Sequence, residues 1–238
     1  MSGAEWALQA ADLADEFHVL TPDLPGHGSA AATAFALASA ADDVAALIAA
    51  EAHEQRAVLV GLSLGGYVAM EVAARHPQLV SGLVISGATA EPVGRRSLPY
   101  RGLALVFAHV PERVLVAVNG RYFRWRYPPR VADPILAAGF SFRAGALALR
   151  SLVGEEFRPR LAAYPGPSLL LNGELDFVFR PGERSFARVA TNPRQVVIRR
   201  ATHLANLDRP EAFTAVVRRF ARSVGGPMVS SGDRPNPS

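Results

Sequence analysis

Ser63 stands between glycines in Gly61-Leu62-Ser63-Leu64-Gly65-Gly66, after the apolar run Val58-Leu59-Val60 and before apolar residues at helical spacing. Such a stretch reads as a buried strand, a one-residue turn and a helix. The turn forces its serine into a strained backbone conformation, and the flanking positions must be small because strand and helix nearly touch. The hydroxyl is thereby lifted above a sheet edge and aimed at a helix N-terminus, where free N–H groups favour negative charge. Attack on a carbonyl is the chemistry that follows. The bare Gly-x-Ser-x-Gly pattern arises by chance in roughly one chain of this length in ten, so its place between strand and helix carries the weight. Phosphate binding fails on residue type. No Lys-Ser/Thr pair follows the glycines, and their spacing does not match the dinucleotide fingerprint.

A serine hydroxyl is nearly inert at neutral pH and needs a base. Six histidines are available. His18 reads as part of a strand, His53 and His76 as helix ends, and His109 as part of a middle segment, all packing or surface positions. His27 follows a Pro-Gly turn and is read mainly as a structural residue of that loop. His203 comes just after a strand, on the C-terminal edge where α/β proteins keep their chemistry, and is the base candidate. Its orienting carboxylate is best supplied by Asp176, just beyond the buried strand in Ser168-Leu169-Leu170-Leu171-Asn172-Gly173-Glu174-Leu175-Asp176. Glu174 is expected to point elsewhere, Asp208 to cap the last helix, and Glu91 is a second-choice acid. The chain order is nucleophile Ser63, acid Asp176, base His203.

The elements that must position these residues alternate along the chain. A helix over Ala4–Ala14 leads to a strand over Phe17–Thr21 and a turn-rich loop, Pro22 to Gly28. Helices follow over Phe35–Ala52 and Gly65–Arg75, with the serine strand Ala57–Leu62 between them and another strand over Val80–Ser86. From about Glu91 to Pro165 the rhythm breaks into mixed helices, prolines and aromatics. It resumes with strand Ser168–Leu171, helix Pro181–Ala190, strand Gln195–Arg199 and helix Arg209–Arg222. The Gly-, Pro- and Ser-rich tail, residues 225–238, is expected to be disordered. Such alternation predicts an α/β fold with a mostly parallel sheet and helices on both faces.

Composition excludes other classes. A chain of 238 residues, half of them hydrophobic, buries one large core. The lack of cysteine excludes disulfides and thiol chemistry and fits a reducing, cytoplasmic setting. The first sixteen residues carry acidic side chains, so no secretory signal is expected, and the apolar run Gly102–Val110 is too short to span a bilayer. All 25 basic residues are arginine, scattered, with a net charge of only +4. The one cluster, Arg121 to Arg130 with its interleaved aromatics, reads as a helix end whose rings pack inward and whose guanidinium groups are solvated. Neither a nucleic-acid partner nor a membrane is expected, and retention on heparin at low salt would be needed to reopen the first.

Taken together, Asp23-Leu24-Pro25-Gly26-His27-Gly28-Ser29, Gly61-Leu62-Ser63-Leu64-Gly65-Gly66, Asn172-Gly173-Glu174-Leu175-Asp176 and Thr202-His203-Leu204-Ala205-Asn206-Leu207-Asp208-Arg209-Pro210 resemble the α/β-hydrolase superfamily. The resemblance implies an α/β-hydrolase fold with Ser63 as nucleophile, Asp176 as acid and His203 as base. It further implies that the Leu64 N–H forms half of an oxyanion hole. Residues 1–90 and 166–224 would form the core and residues 91–165 a helical cap. A serine at this turn argues against the epoxide hydrolases and haloalkane dehalogenases, which carry aspartate there.

The pattern departs from the family at its start. Family members usually open with further strands and a His-Gly motif that supplies the second oxyanion donor, whereas Gly3-Ala4-Glu5-Trp6 resembles the helix after that motif. The strand so missing would lie between Phe17–Thr21 and Ala57–Leu62, leaving two rows of backbone groups without a ladder. The expectation is a serine hydrolase of small to medium apolar esters, acting through an acyl-enzyme and needing no metal or organic cofactor. The competing expectation is a non-catalytic small-ligand binder of the same fold, or an inactive truncated fragment.

Overall fold

The computed structural model describes residues 2–225. A 3₁₀ turn over Gly3–Trp6 runs into α1 (Ala7–Leu13), and α2 spans Leu37–Glu51. The strand β1 (Ala57–Leu62) leads through Ser63 into α3 (Leu64–Arg75), which ends before Pro77, and β2 covers Val80–Ser86. Five helices follow: α4 (Leu98–His109), α5 (Glu112–Arg126), α6 (Pro129–Ala138), α7 (Phe142–Leu152) and α8 (Phe157–Ala163). The remainder is β3 (Ser168–Gly173), α9 (Glu183–Ala187), β4 (Pro193–Ile198), α10 (Ala205–Asp208) and α11 (Pro210–Val224). The residues of the expected tail beyond 225 lie outside the described part.

The four strands form one parallel sheet in the order β1-β2-β3-β4. Alternation along the strands explains its burial. On β2, Leu83 and Ile85 face a core built with α2, α3 and α8, while Val84 faces one built with α1 and α11. On β3, Leu170 takes the first side and Leu169 and Leu171 the second. Both faces of a parallel sheet must be covered, and here helices cover both. Each fully buried side chain, such as Phe213 on α11, contributes roughly 1.5–3 kcal/mol.

The expected strand at Phe17–Thr21 is a correction. Phe17 and Val19 pack against the second core, but the segment pairs with no strand among the described residues. A strand is defined by its ladder, and the far side of β1 has no partner among the described residues. His18 therefore lies in an unpaired segment. Other departures are shifts of boundary: the expected helix at Pro181–Ala190 shortens to a 3₁₀ turn and α9, and α10 precedes the last helix. No single described helix is long and apolar enough to cross a membrane.

Candidate active site

Ser63 has φ 53° and ψ −118°, a left-handed conformation that costs a non-glycine residue about 1–3 kcal/mol. Three backbone hydrogen bonds hold it there. Its N–H donates to Ser86 O at 2.8 Å, and its carbonyl accepts from Gly66 N at 2.9 Å and Tyr67 N at 3.3 Å. A Cβ on Gly61 would lie 2.3 Å from Gly65 O, and one on Gly66 2.6 Å from the Ala88 Cβ. Gly65 itself has open space beside it, so the requirement for small residues falls on Gly61 and Gly66. Leu64 opens α3, where its N–H has no intrahelical acceptor.

His203 and Asp176 meet at the C-terminal edge. His203 Nδ1 donates to Asp176 Oδ2 at 3.0 Å, and Asp176 Oδ1 accepts the N–H groups of Val178 and Phe179 at 3.3 and 3.2 Å. Asp176 is buried, and Phe179 stacks on the imidazole with ring centroids 5.0 Å apart. The imidazole lies against the backbone of Gly87, where a Cβ would come within 2.6 Å of Cε1. Ser86, the acceptor for the Ser63 N–H, is the residue before it. Serine and histidine are thus seated on adjacent residues of one strand end. Both line a cavity of about 600 Å³, with Leu64 and Asp176. Among the described residues neither the Ser63 hydroxyl nor His203 Nε2 has a hydrogen-bond partner, and such contacts commonly tighten only with substrate.

Supporting residues escaped the sequence reading. Asn172, at the end of β3, accepts the Gly87 N–H at 2.6 Å and donates to Thr89 and Glu183, so one buried amide ties the bed of His203 to the strand before Asp176. Asp208 does not cap α11. Its Oδ2 accepts both N–H and Oγ1 of Thr202 at 2.6 Å, and its Oδ1 pairs with Arg126 at 2.5 Å, so it holds the loop that carries His203. Thr202 lies close in sequence and Arg126 close in space, and together they offered this carboxylate more than a helix end would. The buried Phe123 and Tyr127 follow the inward reading of the arginine cluster, whereas the Arg126 guanidinium, expected to be solvated, pairs with the buried Asp208, and Trp125 is 79% exposed. Glu91 is buried against Arg158 and is structural, and Glu174 points away, accepting the Arg200 N–H.

Four further titratable groups line the cavity: His27, Glu5 and the phenols of Tyr67 and Tyr100. His27 Nδ1 donates to Pro25 O at 3.0 Å, and burial lowers its pKa to about 4, so it is a neutral wall rather than a base. Its loop is pinned by Asp23, which accepts from Gly3 N and from Ser29 N and Oγ, each at 2.8 Å. Burial opposes the Asp23 charge, but the donation from Ser29 and Gly3 prevails and holds its carboxyl below the usual range. Burial pushes the Glu5 carboxyl up to about 7, an effect the nearby His203 partly offsets.

The two shifts act in opposite directions on stability. Glu5 titrates above its ordinary 4.5, so the fold loses stability as pH rises from there through about 7. His27 titrates below its ordinary 6.5, so stability is lost as pH falls from there through about 4. Glu5→Gln removes only the first loss. Its thermal midpoint is expected to exceed that of the unmodified chain by several degrees at about pH 8 and to converge with it towards about pH 4.5. Thermal scans across that range check this, and a constant difference would contradict it.

The alpha/beta hydrolase family model matches residues 1–216. A pimeloyl-[acyl-carrier protein] methyl ester esterase of Neisseria meningitidis serogroup B is 31% identical over 224 residues, covering 83% of this chain and 80% of that protein. An AB hydrolase superfamily protein of Gibberella zeae is 39% identical over 87 residues, and the match spans only 31% of its length. Among solved structures, a thermophilic esterase from Thermogutta terrifontis superposes with a TM-score of 0.76 at 26% identity, covering 95% of this chain and 87% of the esterase.

Proposed function

The chain belongs to the alpha/beta hydrolase family, and on that premise we propose that it is a serine hydrolase working by acyl transfer on small to medium apolar esters. One observation carries the reading: a serine held at positive φ and a histidine bonded to a buried carboxylate face one apolar cavity. Ser63 Oγ attacks the ester carbonyl while His203 Nε2 takes its proton. Asp176 fixes the tautomer with Nε2 unprotonated and stabilises the imidazolium that forms. The Leu64 N–H donates to the oxyanion. His203 then protonates the leaving alcohol, and water, activated by the same imidazole, releases the acid. The cavity volume and its leucines and aromatics suit an apolar acyl chain, and the helices α4 and α7 that contribute most of them, with α6 and its Ile135, act as the cap. The name of the Neisseria relative, a methyl ester esterase, agrees with an ester substrate.

An acyl-enzyme has a signature independent of its alcohol. Esters of one acid with different leaving groups are expected to divide between water and added methanol in the same ratio, because each passes through the same intermediate. Product analysis by chromatography measures this ratio. A ratio that follows the leaving group would overturn the covalent mechanism.

A further inference from the structure

The chain carries 25 arginines and a net charge of +4, yet no described arginine lines the cavity. Two carboxyl groups do, Glu5 and Asp176. Asp176 is committed to His203 and to two backbone N–H groups. Among the described residues Glu5 is not committed: its Oε2 is buried and has no hydrogen-bond partner. A buried acceptor left without a partner is costly, and the residue that carries it lines the cavity. Its backbone leaves little room to swing away. Asn206 Nδ2 donates to Glu5 O at 2.9 Å, and Gly3 N–H is held by Asp23 at 2.8 Å. A Cβ on Gly3 would lie 2.1 Å from Thr21 O, so this turn is pressed against the backbone of the segment that holds Thr21.

The remaining wall points the same way. Six aromatic side chains line the cavity, from Tyr67, Tyr100, Phe107, Phe140, Phe142 and Phe179. Aromatic faces attract cations and give an anion nothing. A basic exterior surrounds a cavity lined by two carboxyl groups and six aromatic rings.

We propose that Glu5 sets the charge specificity of this cavity, which admits apolar ligands bearing an ammonium group and turns away those bearing a carboxylate. An ammonium donates to the Glu5 carboxylate and neutralises its charge. A carboxylate meets a like charge and finds no arginine to pair with. The inference deepens the ester-hydrolase reading by naming the substrate class as uncharged or cationic. Glu5 acts on binding and takes no part in the chemical step.

Binding without turnover separates the two ideas. The probes are hexylamine, hexanol and hexanoate, titrated calorimetrically into Ser63→Ala protein at about pH 8.5, where Glu5 is ionised. Hexylamine is expected to bind at least about tenfold more tightly than hexanoate, with hexanol between them. Adding Glu5→Gln is expected to bring amine and carboxylate within about threefold of each other, while hexanol changes little. Glu5→Met serves as a second neutral variant, and thermal scans verify that each is folded. Equal or tighter binding of hexanoate, an unchanged ratio in both variants, or no binding of any probe would overturn the proposal. Since Ser63 is absent from the assay, the charge preference stands or falls whether or not an acyl-enzyme forms.

Discussion

Asparagine at position 176 is expected to lower kcat by about 10⁴-fold with KM little changed. The reason lies in one bond. Asp176 Oδ2 accepts from His203 Nδ1 at 3.0 Å, which leaves Nε2 as the lone-pair nitrogen. The carboxylate cannot drift, because Val178 and Phe179 hold its other oxygen and the side chain is buried. An asparagine keeps those backbone contacts by presenting its carbonyl oxygen to them, and its NH₂ then faces Nδ1. Two donors cannot share that contact, so the imidazole moves its proton to Nε2 and loses the ability to accept one from Ser63. Shape and packing are preserved, so the loss falls on kcat. Steady-state kinetics on a p-nitrophenyl ester, with a thermal scan of the variant, measure both parts. Activity within tenfold of the unmodified chain would mean that Asp176 does not orient the base.

Gly61→Ala is expected to destabilise the fold by about 3 kcal/mol or more, while Gly65→Ala is expected to be neutral or mildly stabilising. Both glycines belong to the same short motif, so the contrast is a sharp one. The new methyl at position 61 would sit 2.3 Å from Gly65 O and 2.6 Å from the Gly66 Cα. Those are backbone atoms of α3, so relief requires strand and helix to separate, taking Ser63 out of its left-handed conformation. Position 65 has nothing within 4 Å beyond its own helix, and alanine favours helix over glycine. For a chain of this size, a loss of 3 kcal/mol lowers the thermal midpoint by roughly 6–12 °C. Esterase activity is expected to fall with it in Gly61→Ala and to persist in Gly65→Ala. Equal effects at the two positions would show that the close approach of β1 and α3 is not what the first glycine serves.

The residues proposed to carry the chemistry were legible because each sits where local pattern and chemistry coincide. Ser63 lies between an apolar strand and an amphipathic helix, and Asp176 and His203 each follow a strand by a few residues. What escaped was set by long-range partners. Asn172 looked like a loop residue after β3, but its amide bridges to Gly87, 85 positions earlier in the chain. Asp208 had the spacing of a helix cap, and Arg126 and Thr202 claimed it instead. Glu5 belongs to a turn whose sequence says nothing of the cavity it borders. Phe17–Thr21 has the composition of a strand, yet pairing is a property of two segments and its own neighbours supply no second one. Local signals locate groups that act at element ends, whereas the contacts that hold those groups in place depend on the assembled sheet.

The direct measurement is the position of a covalent adduct. Trypsin cleaves after Arg56 and Arg75, and the intervening peptide, residues 57–75, contains Ser63 as its single serine. After treatment with a fluorophosphonate, that peptide is expected to gain one phosphonyl mass at Ser63, and the Ser63→Ala protein to gain none. A folded protein left unmodified at that peptide, or modified at another residue while Ser63 stays bare, would contradict the account.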